Sequence, residues 1–190
     1  MTAERTIDPA IYVAFGAFAI VASANGVNLT DGLDGLSGGT LAIAYVAYML
    51  IALLNAPLAQ PNLALLCALI IGALLGFLWF NVHPAQIFIG DSGALSLGAT
   101  LAVTALITGQ ILVLPLIGII FVIETASVII QVGYFKLTGG KRLFRMSPIH
   151  HHFELGGWDE EKITMRFWII GALAAMVGVV FFLATVDRLR

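Results

Sequence analysis

Charge is scarce in this sequence. Only 11% of its 190 residues are Asp, Glu, Lys or Arg, while 60% are hydrophobic; a soluble domain carries about a quarter charged residues. A fold wetted on every side is excluded, and water is not the main solvent. Cysteine is nearly absent. Cys67 stands alone inside an apolar run, which rules out an intramolecular disulfide and marks it as a small buried apolar residue without redox chemistry. The net charge of -2 holds no positive surplus, and no nucleic-acid partner is expected. Met1 to Asp8 is polar and mildly acidic rather than basic, and no small-residue cleavage site follows, so no removable signal peptide is expected. Internal repeats, low-complexity tracts and a soluble domain boundary are missing too, so residues 1–190 read as one membrane domain.

Long uncharged runs are plentiful. No charged residue interrupts Pro9 to Thr30, Gly35 to Gly90, Ser92 to Ile123 or Phe167 to Val186, and about 20 apolar residues cross a bilayer as a helix. Spans are expected near Pro9–Ala24, Leu36–Leu54, Leu63–Phe80, Ala94–Thr108, Ile111–Phe135 and Ile163–Val186, giving an all-α, polytopic transmembrane bundle of six helices. Asn55, Pro57, Gln60, Pro61 and Asn62 make one plain turn, and Gly109 with Gln110 another. The other breaks, residues 25–35, 81–93 and 136–162, hold far more Asp, His, Asn and Lys/Arg than a turn needs. Counting spans puts all three on one face. Lys136, Lys141, Arg142, Arg145, Lys162 and Arg166 lie in or beside the third, which places that face in the cytoplasm and both termini outside; Arg188 and Arg190 are two contrary charges.

The first loop sets Asp31 and Asp34 three residues apart among glycines, after Asn25 and Asn28. Paired acids at a membrane boundary are costly to desolvate and serve a cation, a proton path or a substrate, although helix-capping Asp residues in a solvated turn are the plainer alternative. The second loop carries one acid, Asp91, at the start of an apolar span. It could be a helix cap, or it could hold Mg²⁺, which takes oxygen ligands from one or two carboxylates; Asp91 facing Asp31 and Asp34 would suit the metal. His83 before Pro84 reads as a local structural residue, and Phe88 as packing or a base-stacking surface. The third loop joins Lys141, Arg142 and Arg145 to His150, His151 and His152. Its cations suit polyanions or anionic lipid heads. Adjacent side chains diverge on a regular backbone, which argues against one zinc shared by three consecutive histidines. Glu124 and Gln131, seven residues apart on one helical face, are expected to line the site rather than the lipid. Trp79, Trp158 and Trp168 fit an interfacial belt.

Together, Asn28-Leu-Thr-Asp-Gly-Leu-Asp-Gly-Leu36, Phe80-Asn81 with Pro84-Ala-Gln-Ile-Phe-Ile-Gly-Asp91, and Pro148-Ile-His-His-His-Phe-Glu154 resemble the signature segments of the phospho-N-acetylmuramoyl-pentapeptide-transferase family, in that family's order. The resemblance runs from about Asn25 to Trp168. It implies transfer of phospho-N-acetylmuramoyl-pentapeptide from UDP to undecaprenyl phosphate, with Mg²⁺ and in a homodimer, at the cytoplasmic face of the bacterial inner membrane. By motif position it makes Asp91 the magnesium ligand and Asp31 an active-site acid, with Asn25 and Asn28 in the same signature. Gly32, Leu33, Asp34, Asn81, Phe88 and Gln131 match the nucleotide surroundings, and His150, His151 and His152 the histidine motif near the diphosphate. The family's upstream helices, with their adjacent Asp-Asp pair and substrate-binding Lys, have no counterpart here, so the likeness is to the C-terminal part of the family fold.

Overall fold

The computed structural model describes residues 8–55 and 58–188; Arg5, most of the Met1–Asp8 segment, Pro57 and Arg190 lie outside the described residues. The described chain is helical throughout its regular parts: α1 Pro9–Thr30, α2 Leu36–Leu54, α3 Pro61–Asn81, α4 Gly90–Ile107, a 3-10 turn Ile111–Val113, α5 Leu114–Ile117, α6 Ile119–Leu137, α7 Ile149–Glu154 and α8 Glu160–Arg188. Six of the eight α-helices, all but α5 and α7, are long and apolar enough to cross a membrane. Local chemistry sets several starts. Asp8 accepts the Ala10 amide at 2.8 Å ahead of Pro9, and Pro61 opens α3, where a missing N–H costs nothing.

Helix α2 is the axis of the bundle. Leu41, Ala44, Tyr45, Tyr48 and Ile51 are all buried, because α2 packs against α3 on one side and α8 on the other. α1 pairs with α4 at a separation only glycine permits: a Cβ on Gly98 would lie 2.7 Å from the Ser23 carbonyl oxygen and 2.8 Å from Ala24 Cα. Several polar groups inside the bundle find backbone partners, which stabilises them where water is absent. Ser23 Oγ donates to Gly98 O (2.7 Å), Tyr45 Oη to Leu97 O (2.8 Å) and Tyr48 Oη to Gln110 O (3.1 Å). The outward surface is apolar, with Phe18, Leu69, Leu112 and Phe181 exposed, as a lipid-facing surface requires. An apolar groove of about 350 Å³ opens between α1 and the α5–α6 segment, lined by Phe15, Phe18, Leu114, Phe121 and Ile129.

Three details depart from the sequence expectations. α1 runs on through Asn25 and Asn28 to Thr30, so both asparagines are helical rather than in a loop. The fifth span is broken: Pro115 lies in the first turn of α5, and Gly118, at φ -95° and ψ 33°, ends α5 before α6 begins. The third loop also contains a helix, α7, that carries all three histidines.

The connections sort to two ends. At one, Asn55 Nδ2 donates to Thr108 O (3.0 Å) and Gln60 Nε2 to Ile107 O (3.0 Å), joining the two plain turns. At the other, the three polar loops meet.

Candidate active site

The α1–α2 turn, Asp31 to Gly35, is the hub. Gly35 takes φ +74°, a left-handed conformation that a Cβ would strain, and this lets the turn fold over the end of α2. Asn81, buried at the end of α3, accepts the Gly35 amide at 3.1 Å and donates to Ile87 O at 2.8 Å, tying the first loop to the second. From α8, Trp168 Nε1 donates to Gly35 O (3.1 Å), Thr164 Oγ1 to Asp34 O (3.1 Å), and Glu160 Oε1 accepts the Asp34 amide (2.6 Å). Leu33 packs beneath the turn in an apolar cluster with Leu36, Ile120, Ile163 and Phe167. Trp168 is therefore a clamp on the acidic turn as well as a boundary residue.

Within this frame the acids divide. Asp91, exposed in the first turn of α4, receives Asn28 Nδ2 at 3.0 Å on Oδ1. Asp31 follows α1 directly and accepts Ser37 Oγ. Burial pushes the Asp31 carboxyl above the usual carboxylate range, the Ser37 hydrogen bond opposes the rise, and the neighbouring negative charge of Asp91 adds to it. Asp34 is engaged elsewhere: its Oδ2 accepts the Ala85 amide (2.9 Å) and lies 3.0 Å from His83 Nδ1. His83 also approaches Glu160 (3.6 Å) and Glu161 (3.5 Å), so it bridges the first and second loops to α8 instead of acting only locally.

Asp34, His83 and Glu160 offer ligand atoms within 4.8 Å of one another. Each is already occupied in the staple just described, and a mixed nitrogen and carboxylate set is not what magnesium selects. The Asp31–Asp91 neighbourhood fits a hard cation better: two carboxylates repel one another there, one of them exposed, and no Lys or Arg pairs with either among the described residues.

The histidines diverge, as their adjacency requires. His151 Nδ1 contacts Glu154 Oε2. His152 Nδ1 accepts the Arg145 amide at 3.1 Å, while Arg145 Nη1 donates to Leu155 O, so this ring folds the basic loop. His150 turns inward, its Nδ1 3.1 Å from Glu124 Oε2 and its ring against Gly32. Gln131 is buried on the same face of α6 as Glu124. Its Oε1 accepts the amides of Leu143 (3.1 Å) and Phe144 (2.9 Å), and its Nε2 donates to Phe144 O (3.0 Å). Gln131→Leu should therefore free residues 143–145, with amide exchange at Leu143 and Phe144 accelerated at least about tenfold, since each buried group left unpaired costs about 1–3 kcal/mol; unchanged protection would show that the clamp is unimportant.

The remaining candidates stay open to solvent. Phe88 is 74% exposed and unpacked, Lys141 is exposed without a carboxylate partner among the described residues, and Asn25 Nδ2 bonds only Val21 O of its own helix. Sequence reasoning missed Ser37, Glu160 and Thr164. Of these only Glu160, an acid at the start of a span, carried a visible signal.

The raised Asp31 carboxyl gives a signed expectation. Between its ordinary pKa and its raised folded one, the native state binds more protons than the unfolded chain, so stability falls as pH rises through that window. Asp31→Asn, which keeps an acceptor for Ser37, should raise the thermal midpoint above the window and not below it. A shift independent of pH would contradict this.

Residues 2–109 match the family described as glycosyl transferase family 4. A phospho-N-acetylmuramoyl-pentapeptide-transferase of Desulfosudis oleivorans is 51% identical, over an alignment covering 88% of this chain and 50% of that protein. Proteins of the same name from Listeria monocytogenes (54% identical; 88% of this chain, 51% of theirs) and Rickettsia rickettsii (49%; 88% and 50%) are similar to it as well. The chain spans about half the length of the curated relatives it matches. With a match over more than half of its residues and six apolar helices long enough to span a bilayer, this chain belongs to glycosyl transferase family 4.

Proposed function

We propose that the chain is the active-site part of an enzyme that transfers phospho-N-acetylmuramoyl-pentapeptide from UDP to undecaprenyl phosphate, releasing UMP and forming lipid I for peptidoglycan. The observation that carries this reading is the convergence of three polar segments distant in sequence, through Asn28 with Asp91, Asp34 with His83, and Gly32 with His150. The names of the relatives support the muramoyl substrate. The cation-rich third loop supports a cytoplasmic position in the bacterial inner membrane.

In this reaction an oxygen of the lipid phosphate attacks the sugar-bearing phosphorus of the UDP-sugar, and the bond from that phosphorus to the oxygen of UMP breaks. Both partners are anions, so the protein's task is alignment and charge stabilisation. Asp91 would hold Mg²⁺, with Asp31 beside it, and the metal when bound would neutralise charge on the diphosphate. Asn28 orients the Asp91 carboxylate. The turn at Gly32, Leu33 and Asp34, fixed by Asn81, would receive the nucleotide, and the exposed face of Phe88 would stack on uracil. Lys141 and the neighbouring cations would meet the anionic substrates, with Gln131 holding their loop in place. The groove beside α1 offers a polyprenyl tail an apolar bed. A second copy of the chain is the expected partner, and an upstream half with further acids would complete the site.

A competition assay tests the substrate. Membranes holding this chain and an upstream half should incorporate label from UDP-N-acetylmuramoyl-pentapeptide into lipid at least about a hundredfold over UDP-N-acetylglucosamine, as discrimination by buried polar contacts allows. Incorporation of the N-acetylglucosamine phosphate alone would replace the muramoyl assignment with a related polyprenyl-phosphate N-acetylhexosamine-1-phosphate transferase.

A further inference from the structure

His83, from the second loop, meets carboxylates from the first loop and from α8. Its Nδ1 lies 3.0 Å from Asp34 Oδ2 and 3.6 Å from Glu160 Oε2, and its Nε2 lies 3.5 Å from Glu161 Oε1. Both ring nitrogens therefore face anions, and no Lys or Arg pairs with any of the three acids among the described residues. A neutral imidazole has one N–H, so one of its nitrogens would turn a lone pair toward a carboxylate. A cation belongs in that place, either a second ring proton or a metal ion. The proton offsets one of the three negative charges; a divalent ion on the neutral ring offsets two.

The spacing suits the ion. Asp34, His83 and Glu160 each offer a ligand atom within 4.8 Å of the others. Zinc bonds of about 2.0–2.2 Å set tetrahedral ligands about 3.3–3.6 Å apart, and the two Nδ1 separations agree with that to within a few tenths of an ångström. The hydrogen bonds already described persist when an ion takes the place of the Nδ1 proton. Asp34 Oδ2 has lone pairs for both the Ala85 amide and a metal, and Glu160 holds the Asp34 amide on Oε1 while Oε2 turns to His83. Glu161 stands where a metal-bound histidine keeps its outer partner, a carboxylate on the ring nitrogen that faces away from the ion and fixes the tautomer. The His83 side chain is 38% exposed, so an ion can enter and water can take the fourth position. A patch of acids alone would attract any cation; the imidazole is what selects a transition ion over magnesium, which takes oxygen ligands.

We propose that Asp34, His83 and Glu160 form a binding site for a divalent transition ion of the zinc type, with Glu161 orienting the imidazole. The ion fastens the α1–α2 turn, the second loop and the start of α8 by coordinate bonds. Its donor set is chemically different from the Asp31 and Asp91 carboxylates, and the site does not depend on the nucleotide reading.

The test uses the unsubstituted chain in lipid nanodiscs with Mg²⁺ in excess, titrated with Zn²⁺ by calorimetry and with Co²⁺ by visible absorption. Each ion should bind despite the Mg²⁺, and the Co²⁺ bands should have the high intensity of a four-coordinate site. Paramagnetic Co²⁺ should broaden the backbone amide signals of Asp34 and Ala85 before those of His151 and His152. His83→Gln should weaken Zn²⁺ binding at least about tenfold, as should Glu160→Gln, which keeps an acceptor for the Asp34 amide; loss of even an outer partner costs about 10–100-fold. Zn²⁺ affinity unchanged by His83→Gln overturns the proposal. Broadening that begins at α7 overturns it too, and would mean an adventitious ion only, on His151 and Glu154. Absence of Zn²⁺ binding over Mg²⁺ has the same force. The order of broadening is read on the unsubstituted chain, so it decides the matter even where a variant fails to fold.

Discussion

Asp91→Asn should reduce Mg²⁺-dependent transfer by at least about a hundredfold, the scale on which loss of one preorganised electrostatic contact is felt, while the fold stays intact. The asymmetry follows from where Asp91 stands. It is exposed in the first turn of α4, and its one hydrogen-bond partner among the described residues is the Asn28 amide at 3.0 Å. Asparagine at residue 91 retains an oxygen for that bond, so only the charge is lost. Surface changes of this kind stay within about 0.5 kcal/mol of neutral. Removing the negative charge also lifts one of the contributions that raise the Asp31 carboxyl, so Asp31 should titrate closer to an ordinary carboxylate in the variant. Turnover measured across a magnesium titration, with thermal unfolding in parallel, checks both halves. Undiminished turnover at all magnesium concentrations would remove Asp91 from the metal site.

Gly39→Ala should cost about 1–3 kcal/mol of stability, the usual range for forcing extra volume into a packed region, and should loosen the acidic turn. An added Cβ would meet Trp168 at 2.0 Å from Cε2, 2.2 Å from Cζ2 and 2.2 Å from Nε1. The obstacle is a flat ring edge rather than the tip of a flexible chain, so the indole must leave its place. Its Nε1 bond to Gly35 O would go with it, and that bond is one of three by which α8 holds Asp34 and Gly35. Thermal unfolding and nucleotide affinity should therefore fall together. Gly39→Ala combined with Trp168→Ala should be less damaging than the sum of the two single changes, because the clash is shared between them. Strict additivity would mean that Gly39 and Trp168 do not meet as described.

The features legible in the sequence are those with short-range causes. Uncharged runs long enough to cross a bilayer gave the six long helices, because that signal needs only local hydropathy. The density of acids, amides and histidines in three loops marked the candidate site for a similar reason: a turn does not need them. Parity placed those loops at one end, and the contacts between Asn28 and Asp91 and between Asp34 and His83 join them there. The divergence of His150, His151 and His152 was also readable, since neighbours on a regular backbone cannot converge, and α7 sends them to Glu124, Glu154 and Arg145.

Other features depend on closure of the fold. Asp34 was expected to face Asp91, but its carboxylate is held by Ala85 and His83 and its backbone by a helix that begins 126 residues later. No local pattern reports such a partner. Asn25 and Asn28 looked like loop residues because asparagine competes with helix for backbone hydrogen bonds; packing of α1 along α4 carries the helix through them. The break in the fifth span had a local signal in Pro115 and Gly118 that the strength of the surrounding hydrophobic run concealed.

The proposed function makes this bundle end the magnesium-dependent active-site half of a muramoyl-phosphate transferase. Its most direct test is lipid I formation from radiolabelled UDP-N-acetylmuramoyl-pentapeptide, undecaprenyl phosphate and Mg²⁺, with this chain alone and with a separately expressed upstream half. The account predicts magnesium-dependent product when the two halves are combined. No product from the combined halves, with both inserted and folded in the membrane, would contradict it.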